Sequence, residues 1–339
     1  MMIMGHRAGA LFLLLFLVPY PLFAQQIPAP ETSTIRVGTK LVDVGVTVTD
    51  ADGKFVDGLR DSDFQVFDNG AEQPIGYFAL DEPSYVLLLI EAGPAVYLAE
   101  GGHLRAAFAL LAGLSDGDQV AVIKYAERPE VICDFSANKQ VAADALEHLN
   151  FNLGFGALNL SESIAGVLDW MDKTRGKKTL VLLSSGVDTS PPEAGSRLLQ
   201  RLRVGDVRVL AVSLSGELRP TATTKKKQVQ SAAAILSTQQ FAAADEELRQ
   251  LAKATGGRAY FPAAAKEFSA VYAEIAQIVR HEYFLGFMPL ASDGKVHALE
   301  VRVISQSTGP GGGSALANKS RGLRVDHRQA YLAPGPDAP

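Results

Sequence analysis

Val86-Leu87-Leu88-Leu89-Ile90 decides the fold of this chain. Five apolar residues in succession leave no polar face, so a strand built from them must be covered on both sides, as strands of parallel sheets are. Working outward, three further runs have the same character, at 119–125, 179–183 and 207–214. Stretches with helical spacing separate or follow them, at 103–114, 141–149, 161–173, 245–254 and 267–280. Gly256-Gly257 is a strong stop for the fourth of these. Strands alternating with helices predict an α/β, doubly wound, mostly parallel sheet flanked by helices.

The flanks follow a different rule. Val42, Val44, Val46 and Val48 alternate with other residues, the period of a half-buried strand. Asp50-Ala51-Asp52-Gly53 and Asp68-Asn69-Gly70 carry turn residues, so Asp50, Asp52 and Asp68 are expected in turns. Strand-like stretches return at 283–287, 297–304 and 322–331. Neither set alone makes a secure core. The expected organisation is an N-terminal β segment at 35–82, an α/β domain at 83–281, and a C-terminal β segment at 282–333 that pairs with the first. The α/β domain would then be inserted in a small β-sandwich. Within it, the polar stretch 216–241 reads as a surface insertion, and 334–339 as a tail.

Residues 8–18 are apolar and follow His6 and Arg7, and Ala24 precedes polar Gln25-Gln26. This describes a secretory signal peptide, 1–24, followed by a linker, 25–34. The apolar stretch is shorter than the ~20 residues that span a bilayer, so no retained transmembrane segment is expected. The expected destination is the periplasm, the cell surface or the medium. A net charge of -5 gives no general attraction to nucleic acid. Cys133 is the sole cysteine, which excludes an intramolecular disulfide and a thiolate zinc cluster.

Several blocks together carry a resemblance. They are Leu41-Val42-Asp43-Val44-Gly45-Val46-Thr47-Val48-Thr49-Asp50, Asp63-Phe64-Gln65-Val66-Phe67-Asp68-Asn69-Gly70 and Gly117-Asp118-Gln119-Val120-Ala121-Val122. Further blocks are 251–261, Tyr283-Phe284-Leu285-Gly286-Phe287 and Arg321-Gly322-Leu323-Arg324-Val325, with Tyr331. The α/β part resembles a von Willebrand factor A (VWA) domain, and the chain from about 35 to 333 resembles the VWFA-related proteins of Acidobacteria. That resemblance implies protein binding. In many VWA domains it runs through a divalent metal held by an Asp-x-Ser-x-Ser loop, a Thr and a second Asp at the carboxyl ends of the strands. Mg²⁺ would demand oxygen ligands in near-octahedral array at about 2.0–2.1 Å.

At the corresponding positions this sequence has Glu91, Gly93 and Ala95 on the first loop, Gly156 on the second and Ser185 on the third. Only Glu91 keeps an anionic oxygen, and Asp188 lies near enough in sequence to be a substitute ligand. The expectation is a degenerate, metal-free site with Glu91 as a solvated loop acid beside Pro94. The alternative is a remodelled adhesin site holding Mg²⁺ or Ca²⁺ through Glu91, Ser185 and Asp188. Phe155 and Leu158 are the candidate protein-binding residues on the same face.

No catalytic constellation stands out. His103, His148, His281 and His297 are isolated in sequence, and Ser184-Ser185-Gly186 is not a nucleophile elbow. The expected function is an exported, non-catalytic module that binds a protein partner and needs no cofactor. A hydrolase is the remaining alternative.

Overall fold

The computed structural model describes residues 41–80, 82–93, 100–149, 156–218, 238–304 and 322–335. The expected signal peptide and linker, Pro94, Ala95, Phe155, most of the 216–241 insertion and the last four residues lie outside them.

The chain opens with four strands, β1 (Val42–Thr49), β2 (Phe64–Asp68), β3 (Ala71–Gln73) and β4 (Ile75–Ala79). The α/β part follows with β5 (Ser84–Glu91), α1 (Glu100–Gly113), β6 (Gln119–Tyr125), β7 (Pro129–Ser136), α2 (Lys139–Glu147) and α3 (Leu160–Met171). It continues through β8 (Lys177–Ser184), α4 (Pro192–Val204), β9 (Val207–Ser213) and a one-turn α5 (Ser215–Leu218). Then come α6 (Thr238–Ala254), β10 (Ala259–Tyr260) and α7 (Ala265–Arg280). The last strands are β11 (Tyr283–Phe287), β12 (Val296–Val303), β13 (Arg324–Asp326) and β14 (Ala330–Leu332).

Six strands form the central sheet in the order β10-β9-β8-β5-β6-β7, all parallel except the edge strand β7. This mixed α/β architecture with a mostly parallel sheet is the one expected from the apolar runs. The period of two explains why β5 has no polar face. Val86, Leu88 and Ile90 pack with Leu110, Tyr272 and Ile275 on one side, while Leu87 and Leu89 pack with Ile164, Leu198 and Leu248 on the other. Helices α1, α2 and α7 therefore cover one face and α3, α4 and α6 the second. Helix α6 ends where Gly256, at φ 71, adopts the left-handed backbone that residues with a Cβ resist, and Gly257 N–H returns to the Ala252 carbonyl at 2.9 Å.

The flanking strands build two four-stranded sheets, β13-β1-β11-β4 and β14-β12-β2-β3. Each mixes strands from both ends of the chain: Val44 lies opposite Leu285, and Val66 opposite Val301. One apolar cluster draws on both sheets, with Val44, Val46, Val66, Leu285, Phe287, Leu299 and Tyr331 among its members. Cys133 sits in β7 beside Val122, half-buried, where burial pushes its thiol up.

Two polar residues have surroundings that the sequence did not show. Asp68, expected in a turn, opens the Asn69-Gly70 turn as the fully buried last residue of β2. Its carboxylate accepts Leu290 N–H at 2.7 Å and the Tyr331 hydroxyl at 2.8 Å, and its Oδ1 meets His297 Nδ1 at 2.6 Å. His297 is likewise not isolated, since its Nε2 lies 3.1 Å from Asp293 Oδ1. The cause is β pairing: β12 is brought beside β2 across more than 200 residues, and β14 pairs with the far edge of β12.

Candidate functional site

The carboxyl ends of β5, β6 and β8 lie side by side. Parallel register places Glu91 opposite Tyr125, and Ile90 opposite Leu183, so Ser184 and Ser185 follow directly beside Glu91. The crevice outside such strand ends is where open α/β sheets generally place ligands.

Glu91 is completely buried, which corrects its reading as a solvated loop acid. It belongs to the strand itself, and the apolar neighbours that fix β5 carry it inward. Its Oε2 is the acceptor for Ser185 N–H at 2.7 Å, Ser185 Oγ at 2.7 Å, Ser184 Oγ at 3.2 Å and the Tyr125 hydroxyl at 3.3 Å. The Tyr125 and Ser184 hydroxyls also lie 2.7 Å apart, so one donates to the other, which in turn donates to Oε2. Burial pushes the Glu91 carboxyl up from its ordinary range, opposed by the hydrogen bonds from Ser185, Ser184 and Tyr125. Burial, with the nearby Glu91 charge, also raises the Tyr125 phenol. The second carboxylate oxygen, Oε1, is buried without a hydrogen-bond partner.

The other predicted positions separate. A Cβ on Gly93 would stand 2.9 Å from Leu158 Cδ2 and 3.4 Å from Glu91 Oε1. Leu158 thus occupies the space that a side chain at 93 would need, and is itself half-buried. Gly156 is exposed, with nothing within 4 Å of its would-be Cβ. Asp188 turns away to the start of α3, where Oδ2 accepts Ser161 N–H at 3.1 Å and Ser161 Oγ–H at 2.5 Å. Its Oδ1 accepts Ser190 N–H at 2.8 Å. Among the described residues, no group of three or more His, Cys, Asp or Glu side chains is placed to hold a metal ion.

Residues 102–187 match the model of the von Willebrand factor type A domain. The VWA match ends at Val187, just past Ser184 and Ser185, and supports a VWA domain in this chain. No curated protein matches it. Among solved structures, BatB from Bacteroides thetaiotaomicron is similar at 13% identity and TM-score 0.42, covering 58% of this chain and 99% of its own. A von Willebrand factor type A protein from Catenulispora acidiphila is similar at 11% identity and TM-score 0.44, covering 89% of this chain and 76% of its own. The vWF domain of the type V pili tip protein Mfa5 from Porphyromonas gingivalis stands at 10% identity and TM-score 0.40, covering 59% and 96%.

Sequence reading missed Tyr125 and Ser184 as partners of Glu91. The available signal was positional: each stands at the end of an apolar run, and neighbouring parallel strands end together. A second buried cluster was also missed. Ser213 and Ser215 both donate to Asp245 Oδ1, at 3.0 and 2.7 Å, beyond the end of β9. Elsewhere Trp170 stacks on Phe135 with ring centroids 4.7 Å apart, a packing contact.

Proposed function

We propose that this chain is an exported, non-catalytic protein-interaction module of the VWA type, related to the VWFA-related proteins of Acidobacteria, whose strand-end site works without metal. In this reading the two flanking sheets form a β-sandwich into which the α/β domain is inserted. The partner is a protein, met on the face around Leu158 and Phe155.

One observation carries the metal-free reading: the hydrogen bonding of Glu91 Oε2. A divalent cation needs oxygen lone pairs directed at it and gives up its water only to several such ligands. Oε2 is instead surrounded by donors from Ser185, Ser184 and Tyr125. Gly93 and Gly156 offer no side-chain oxygen, and Leu158 fills the space over Gly93. Asp188 spends both oxygens on Ser161 and Ser190. These residues do not fit the ion that the resemblance implies, and the geometry disfavours a remodelled site built on Glu91 and Asp188.

Calorimetric titration with Mg²⁺, Mn²⁺ and Ca²⁺ tests this reading. Absence of binding at millimolar metal supports it. Binding that Glu91→Ala abolishes overturns it and restores the metal-dependent adhesin.

A further inference from the structure

At the opposite end of the central sheet, where β8 and β9 begin, a cavity of about 20 Å³ opens against β1. That exceeds the roughly 10–15 Å³ needed to hold one water. Four basic and three acidic side chains line it, an excess of one positive charge.

Two of the basic groups are neutralised in place. Lys178 pairs with Asp206 at 2.7 Å, and Arg208 with Glu282 at 2.9 Å. Arg328 is not. It is only 8% exposed, yet its guanidinium meets neutral carbonyl oxygens alone: Val204 at 3.1 Å, Gly205 at 2.8 Å and Asp43 at 2.5 Å. Its Nε–H is buried and has no acceptor. Lys177 is similar, with Nζ donating to the carbonyls of Leu80, Val279 and Glu282 at 3.2–3.5 Å. The third acid, the side chain of Asp43, forms no ion pair with Arg328; burial and Asp206 push its carboxyl up from the ordinary range, opposed by Arg328 and Lys178. Asp206 and Asp43 favour the Arg328 charge only from beyond ion-pair distance; a buried cation without a direct partner is costly, so proteins pair such groups.

We propose that this cavity binds one small monovalent anion of the halide class, held by the Arg328 Nε–H and by the charges of Arg328 and Lys177. A water would satisfy the Nε–H and leave the charge without a direct partner. A phosphate or carboxylate ligand needs more room than the cavity has.

The test uses the full chain without other additions. Melting in sodium chloride or bromide is compared with sodium gluconate at equal ionic strength, and a bromide-soaked crystal is measured at the bromine edge. The expected results are a saturable rise in Tm of about 3 °C in halide and an anomalous peak beside Arg328 Nε. Arg328→Gln should abolish the rise. If that variant does not fold, the crystal of the unaltered chain decides. No bromide peak beside Arg328 means that water fills the cavity, and it overturns the proposal whatever the melts show.

Discussion

Ser185 presents both its backbone N–H and its hydroxyl to the same oxygen of Glu91, each at 2.7 Å. The two residues close the carboxyl ends of β5 and β8 over a buried carboxylate. Removing the acceptor strands several buried donors, each worth about 1–3 kcal/mol when left unmade. Glu91→Ala is therefore expected to cost about 3 kcal/mol or more in urea unfolding. Glu91→Gln, which keeps an acceptor oxygen for Ser185, should stay within about 1 kcal/mol of the unaltered chain. Equal losses in the two variants would show that the hydrogen bonds are not what matters.

Restoring a ligand side chain at one lost position should damage the fold. Gly93→Ser places a Cβ 2.9 Å from Leu158 Cδ2, the end of a half-buried side chain that can partly turn aside, so the overpacking should cost about 1 kcal/mol, the low end of the usual range. Leu158→Ala in the same chain should recover part of that loss. If Gly93→Ser is neutral in thermal or urea melts, Leu158 does not guard that space.

A buried ion pair helps to join the central sheet to the flanking strands. Arg208 and Glu282 are 5% and 4% exposed at their side chains. Arg208 also donates to the Thr47 hydroxyl and to the Gly45 carbonyl, the latter at 2.9 Å. Glu282→Ala leaves a buried guanidinium without its carboxylate, at an expected cost of about 3–5 kcal/mol. Replacing both partners, Arg208→Met with Glu282→Leu, should recover most of it. A double variant as unstable as the single one would contradict this account.

Acidification should weaken the fold through His327. Its Nε2 accepts Val301 N–H at 3.2 Å while Nδ1–H donates to the Arg328 carbonyl at 2.6 Å, which requires a neutral ring. Burial, the largest influence, holds its imidazole below the usual value. The unfolded chain then binds the extra proton first, from about pH 6.5 downward, so stability falls as pH drops through that value until the folded ring also protonates. Between about pH 7.5 and 5.5 this residue should account for at most about 1.4 kcal/mol. Urea melts of the unaltered chain and His327→Gln at both pH values measure the difference. Identical pH dependence in the two would remove His327 from the explanation.

Local patterning by itself determined the strands of the central sheet and most of its helices, though not α4 (Pro192–Val204). Val86-Leu87-Leu88-Leu89-Ile90 can be satisfied only by two covered faces, and that property belongs to adjacent residues. The alternation of Val42, Val44, Val46 and Val48 marked the flanking strands for the same reason. The absence of hydroxyls at Gly93 and of an acid at Ser185 was also plain, because a missing oxygen is a fact of composition. What tertiary structure decided was the environment of polar side chains. Glu91 meets Ser185 across 94 positions, Asp68 meets His297 across 229, and Arg328 reaches the Asp43 carbonyl across 285. Burial and hydrogen-bond geometry are set by which strands pair and how their ends align, and no spacing within a single segment encodes that distance.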